Sequence, residues 1–150
     1  MQVQPLGWEE HLEKKTATHA SKAFAAENLE NAWLTRDKAV VEAYNADPLC
    51  GFAFTANGYL ALMELLKGAY APVQAKNPRL PVHFLSGEQD PCHGGKVKFL
   101  AAVDKMRKHG WHEVTWKLYP EMRHEVLNEF GKEQVMEDLY QLLMSWLKKR

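Results

Sequence analysis

"LPVHFLSGEQDPCHGGKVKFLAAVDKMRKHGWHEVTWKLYP", residues 80–120, changes its hydrophobic period twice, and those changes decide the fold class. "PVHFLSG" is a short apolar run closed by Gly87, the pattern of a buried strand. "GKVKFLAAVDKMRKHG" then places Val97, Leu100, Ala101, Val103 and Met106 at helical spacing, with Gly110 at its end. "EVTWKLYP" alternates, with Val114, Trp116 and Leu118 on one face and Thr115, Lys117 and Tyr119 on the other. Residues 132–149 follow with Val135, Met136, Leu139, Leu142, Leu143 and Trp146 as the apolar stripe of a last helix. Strand, helix, strand, helix implies a right-handed parallel crossover, so the chain reads as α/β with a short parallel βαβα unit.

Toward the N-terminus the periodicity is helical throughout. "WEEHLEKKTATHASKAFAAENL", from Trp8 to Leu29, suits one or two amphipathic helices. A second helix is expected across "RDKAVVEAYNA", capped by Asp37 and stopped at Asp47-Pro48. A third is expected in "YLALMELLKG", apolar nearly all round and ended by Gly68. "AYAPVQAKNPRLP" then breaks regularity with three prolines, which divides the chain into a helical segment, 1–75, and an α/β segment, 76–150.

Composition narrows the function classes. With 150 residues, the chain is one ordinary domain, and a net charge of zero gives neither a nucleic-acid footprint nor attraction to an anionic membrane. No apolar run reaches the length of a membrane span, and "MQVQPLGWEEHLEKK" lacks a signal-peptide pattern, so a cytoplasmic protein is expected. Cys50 and Cys92 stand in unrelated contexts and read as reduced thiols.

In open parallel sheets chemistry sits beyond the C-terminal strand ends. Asp90, in "SGEQDP", follows the first strand, and His124, in "PEMRHE", follows the second. Neighbouring strands lie about 4.8 Å apart, which brings an acid and a histidine on their exit loops within hydrogen-bonding reach. Asp90 could then hold one ring nitrogen of His124 and leave the other as a general base.

The segments "WLTRD", "DPLCGFAFTANGY", "LPVHFLSGEQDP" and "LYPEMRHEVLNE" together resemble the α/β-hydrolases of the serine aminopeptidase S33 type, the group of monoacylglycerol lipases and bacterial lysophospholipases. The resemblance implies that Asp90 and His124 are the acid and histidine of a Ser-His-Asp triad, and that the helical first half is a cap over an acyl pocket. It also implies a small acyl ester or lipid substrate and no cofactor. Phe52, Phe54, Tyr59 and Met63 are candidate pocket residues, which would favour an apolar chain.

A nucleophile of this type sits in a G-x-S-x-G elbow ahead of the acid and the histidine. The three serines here, Ser21, Ser86 and Ser145, stand in no such elbow. The sequence therefore reads as the C-terminal part of a serine hydrolase, beginning near the cap. Its partner would be a serine-bearing N-terminal half, or a second copy gathered by apolar surface left on Val82, Phe84, Leu85, Val114, Trp116 and Leu118. The alternative is a non-catalytic product: a truncated or decayed frame, or a binding module that keeps the cap. Cys92 as a replacement nucleophile, and a metal site of Asp90, His93 and His124, are disfavoured because neither has the usual spacing or setting, so no metal is expected.

Overall fold

The computed structural model describes residues 20–52 and 54–148. Its elements are α1 (Lys38–Ala46), α2 (Ala56–Tyr70), β1 (Val82–Gly87), α3 (Lys96–Lys108), β2 (Val114–Tyr119) and α4 (Lys132–Lys148). Single 3-10 turns stand at Ala25–Glu27 and Pro91–His93. Of the helix expected between Trp8 and Leu29, residues 8–19 lie outside the described residues.

β1 and β2 pair in parallel, in register from Val82 opposite Val114 to Gly87 opposite Tyr119. The alternation of side chains gives this sheet two apolar faces, and each has its own helix. Phe99 and Val103 of α3 pack on Val114, Val82, Phe84 and Leu118. On the opposite face Tyr119 and Leu85 meet Met122, Val126, and Val135 and Leu139 of α4. Val103 and Val135 are completely buried, each contributing about 1.5–3 kcal/mol by leaving water. β2 is further tied to α4 by Asp138, which accepts from Lys117 and from the Tyr119 hydroxyl.

Docking on the sheet rotates both helices from the faces read in the sequence. On α3 the seam is Phe99, Val103 and Met106, whereas Val97 and Ala101 point to solvent. On α4 Val135 and Leu139 face the sheet, leaving Met136 and Leu143 exposed. The apolar patch expected on the strands is also mostly covered, since of its six residues only Trp116 is exposed. Apolar side chains stand in solvent instead on the outer side of α4 and along α2, which has no buried residue.

α1 begins as expected, with the Asp37 carboxylate accepting from Ala39 N at 3.0 Å. α2 is longer than its sequence suggests. Thr55 caps it by accepting from Gly58 N, and it runs through Gly68 to Tyr70. The stop is Ala71, since a residue before proline is pushed out of the helical region. The irregular stretch that follows is tied to the end of α3, where Ala75 N donates to His109 O at 2.7 Å. Among the described residues no helix is long and apolar enough to cross a membrane.

Candidate active site

Both exit loops begin where the strands end level with each other, at Gly87 and Tyr119. The two loops then cross at contact distance. Glu88 N donates to Tyr119 O and Gln89 N to Met122 O, at 2.9 and 3.0 Å. A Cβ on Gly87 would stand 2.1 Å from Arg123 O and 2.2 Å from Met122 O, so only glycine allows this crossing.

Asp90 heads the turn that follows β1. Its Oδ1 accepts from Cys92 N at 2.8 Å and its Oδ2 from Ser86 Oγ at 3.1 Å. The aspartate is buried, and Oδ2 also meets His124 Nδ1 at 3.0 Å. One carboxylate thus both caps the turn at Pro91–His93 and meets the imidazole. Burial alone would raise its pKa, but the hydrogen bonds of His124, Cys92 N and Ser86, with the ring's charge, hold it below the usual carboxylate value.

His124 leaves the sheet on the turn after β2, where Glu121 takes the left-handed conformation. The hydrogen bond with Asp90 first, and the nearby Cys92 side chain next, push its pKa up to about 10 against the opposing effect of burial. Its side chain is 42% exposed, so part of this field is screened by water. The Trp33 ring lies beside it, centroids 5.0 Å apart.

The histidine loop is held by the segment "NAWLTR". His124 N and Glu125 N donate to Trp33 O and Leu34 O, at 3.4 and 2.8 Å. Thr35 Oγ1 donates to Asn128 O at 3.0 Å. Beneath this contact the buried Glu129 carboxylate accepts from Arg36 N, Arg36 Nε and Arg123 N, at 3.0, 3.0 and 2.9 Å. Buried Arg123 in turn donates to Ala32 O and pairs with Glu27. Glu129 and Arg123 escaped the sequence reading because a charge in a loop looks solvated until its partner, some ninety positions away, is known. The one signal was that Arg36, Arg123 and Glu129 lie in "WLTRD" and "LYPEMRHEVLNE", two of the segments that carry the family resemblance.

Two of the serines spend their hydroxyl protons on groups other than the imidazole. Ser86 donates to Asp90, and Ser145 Oγ donates to Leu142 O within α4. His93 is also committed elsewhere, since Nδ1 accepts from Gly95 N and Nε2 donates to Gly87 O.

Beside the pair opens a pocket of about 390 Å³. Phe52, Phe54, Tyr59 and Leu62 line one part of it, and Trp33 and Cys92 another. Phe54 packs edge-on against both Phe52 and Tyr59, with centroids 6.1 and 5.6 Å apart. Met63, read as a pocket residue with these aromatics, is not in the lining and stands exposed on α2.

A family model described as serine aminopeptidase, S33 matches residues 1–131. The monoacylglycerol lipase of Mycolicibacterium smegmatis is 31% identical over 125 residues, covering 81% of this chain and 41% of the lipase. A highly thermostable carboxyl esterase from Bacillus coagulans, solved in complex with glycerol, superposes with a TM-score of 0.58 at 21% identity. That superposition covers 79% of this chain and 38% of the esterase, and at such identity it speaks for the fold alone. The chain thus spans about two fifths of the length of the relatives it matches. It belongs to the serine aminopeptidase S33 family, and its parallel two-stranded sheet with flanking helices is part of an α/β-hydrolase fold.

Proposed function

We propose that these 150 residues carry the acid–histidine pair and the cap of a carboxylic-ester hydrolase of the lipase or lysophospholipase kind. The supporting observation is the 3.0 Å contact between His124 Nδ1 and the buried Asp90 carboxylate, on exit loops of adjacent parallel strands. In this reading residues 1–75 are the cap and 76–150 belong to the core. Phe52, Phe54 and Tyr59 receive an acyl chain, and the serine comes from a segment outside these residues.

Asp90 fixes the tautomer that keeps the Nδ1 proton, so Nε2 is the nitrogen that works. Nε2 takes the proton of the serine hydroxyl as its oxygen attacks the ester carbonyl carbon. The same proton then passes to the departing alkoxide, and water repeats the cycle on the acyl-enzyme. A base must be neutral, whereas the half-exposed ring holds its proton up to about pH 10. Docking of the serine-bearing segment would bury the ring further, and burial disfavours imidazolium.

The test is complementation. A serine-bearing segment, fused or added as a separate chain, should produce ester hydrolysis, which His124→Ala lowers by several orders of magnitude and Asp90→Asn by roughly 10⁴-fold. The chain on its own should turn over no ester above a buffer control. Stoichiometric fluorophosphonate labelling of it at Ser21, Ser86 or Ser145 would overturn the proposal.

A further inference from the structure

We propose that Asp90, Cys92 and His124 form a three-ligand site for a thiophilic divalent cation of the zinc class. One donor atom from each of the three lies within 4.8 Å of the others. A carboxylate oxygen, a thiolate and an imidazole nitrogen are the donor types that borderline-soft ions take. Among the described residues no other such group of three is found.

The fold prearranges two of the three ligands. Cys92 N is held at 2.8 Å by Asp90 Oδ1, which carries the thiol beside the carboxylate that already meets His124. Ser86 Oγ, donating to Asp90 Oδ2 at 3.1 Å, is the outer partner that orients a ligating carboxylate. His93, the ligand suggested by sequence proximity, is excluded because both of its nitrogens are bonded within its own loop.

With zinc bonds of about 2.3 Å to sulfur and about 2.0–2.1 Å to nitrogen, tetrahedral ligand atoms stand about 3.5 Å apart. With donor atoms up to 4.8 Å apart, the cluster is open by about 1.3 Å at most. Rotation of exposed Cys92 and of the half-exposed His124 ring can close that gap. The cation would take the place of the protons on the thiol and between Nδ1 and the carboxylate, which leave to solvent. Three protein ligands leave a fourth coordination position for water or another small donor. This site needs no serine, so cation binding is tested apart from the proposed activity, but it draws on the same Asp90 and His124, so a bound cation would take the Nδ1 proton from the acid–histidine pair and exclude serine chemistry while it is bound.

The experiment is titration of the chain with Cd²⁺, followed by the ultraviolet thiolate-to-cadmium charge-transfer band, and with Zn²⁺ by calorimetry. One ion per chain is expected, with the band intact in Cys50→Ser and abolished in Cys92→Ser. Asp90→Asn and His124→Ala should each weaken binding at least about tenfold, while far-UV circular dichroism shows the fold retained. A band that persists in Cys92→Ser would overturn the proposal. So would one that depends on Cys92 but is indifferent to both Asp90 and His124, since that is binding to a bare thiol.

Discussion

Glu129 offers the most demanding test of how the histidine loop is held. Its carboxylate is buried and accepts from three backbone amides, Arg36 N, Arg123 N and Phe130 N, as well as from Arg36 Nε at 3.0 Å. Glu129→Ala takes the acceptor from all three amides and strips a buried charge pair of its anion, a change that typically costs about 3–5 kcal/mol. Arg36 is 27% exposed, so its guanidinium can regain water, and the lower end of about 3 kcal/mol is expected. At 1.4 kcal/mol per decade this becomes roughly a hundredfold loss of protection in native-state amide exchange. The amides to watch are Arg123 and Glu125, the second being the donor to Leu34 O at 2.8 Å. Glu129→Gln keeps the shape and one acceptor oxygen, so its loss should be smaller. If protection at both amides in Glu129→Ala stays within about threefold of the parent, the loop is held by something other than this carboxylate.

Gly87→Ala should cost at least about 2–3 kcal/mol in urea unfolding, because its Cβ meets backbone atoms at 2.1 and 2.2 Å rather than a movable side chain; an unchanged midpoint would show that the crossing is looser than described. In histidine NMR, His124 should titrate well above the ordinary value, near 10, and Asp90→Asn should bring it down, since the neutral amide no longer favours imidazolium; equal values in the two chains would sever the proposed pairing. The sign for stability follows: the histidine's contribution is complete below its unfolded pKa of about 6.5 and is lost as pH rises through about 10. Leu60 and Leu65 on α2, with Leu143 and Leu147 on α4, leave enough apolar surface that the chain alone should self-associate in sedimentation, less so as Leu143→Lys with Leu147→Lys; a concentration-independent monomer would contradict this.

The order of elements from Val82 to Lys148 was legible because period is a local property: alternation at 114–119 and three-to-four spacing at 132–148 suit only one backbone each. The parallel pairing followed from that order, and with it the meeting of Asp90 and His124, since strand ends brought level by one crossover place their exit loops together. The facing side of a helix was less legible. Phe99 displaced Val97 and Ala101 from the core of α3 because the seam is chosen by the sheet it docks on, and apolar stripes wider than the seam admit several rotations. Gly68 misled for a related reason: glycine ends a helix only where the chain turns left-handed, and here the proline after Ala71 set the end. What only the tertiary structure decided is long-range and polar. Glu129 against Arg36, Arg123 against Glu27, and Trp33 beside His124 join residues about ninety positions apart. No periodicity announces such pairs, because a buried charge is tolerated only through a partner that folding itself supplies.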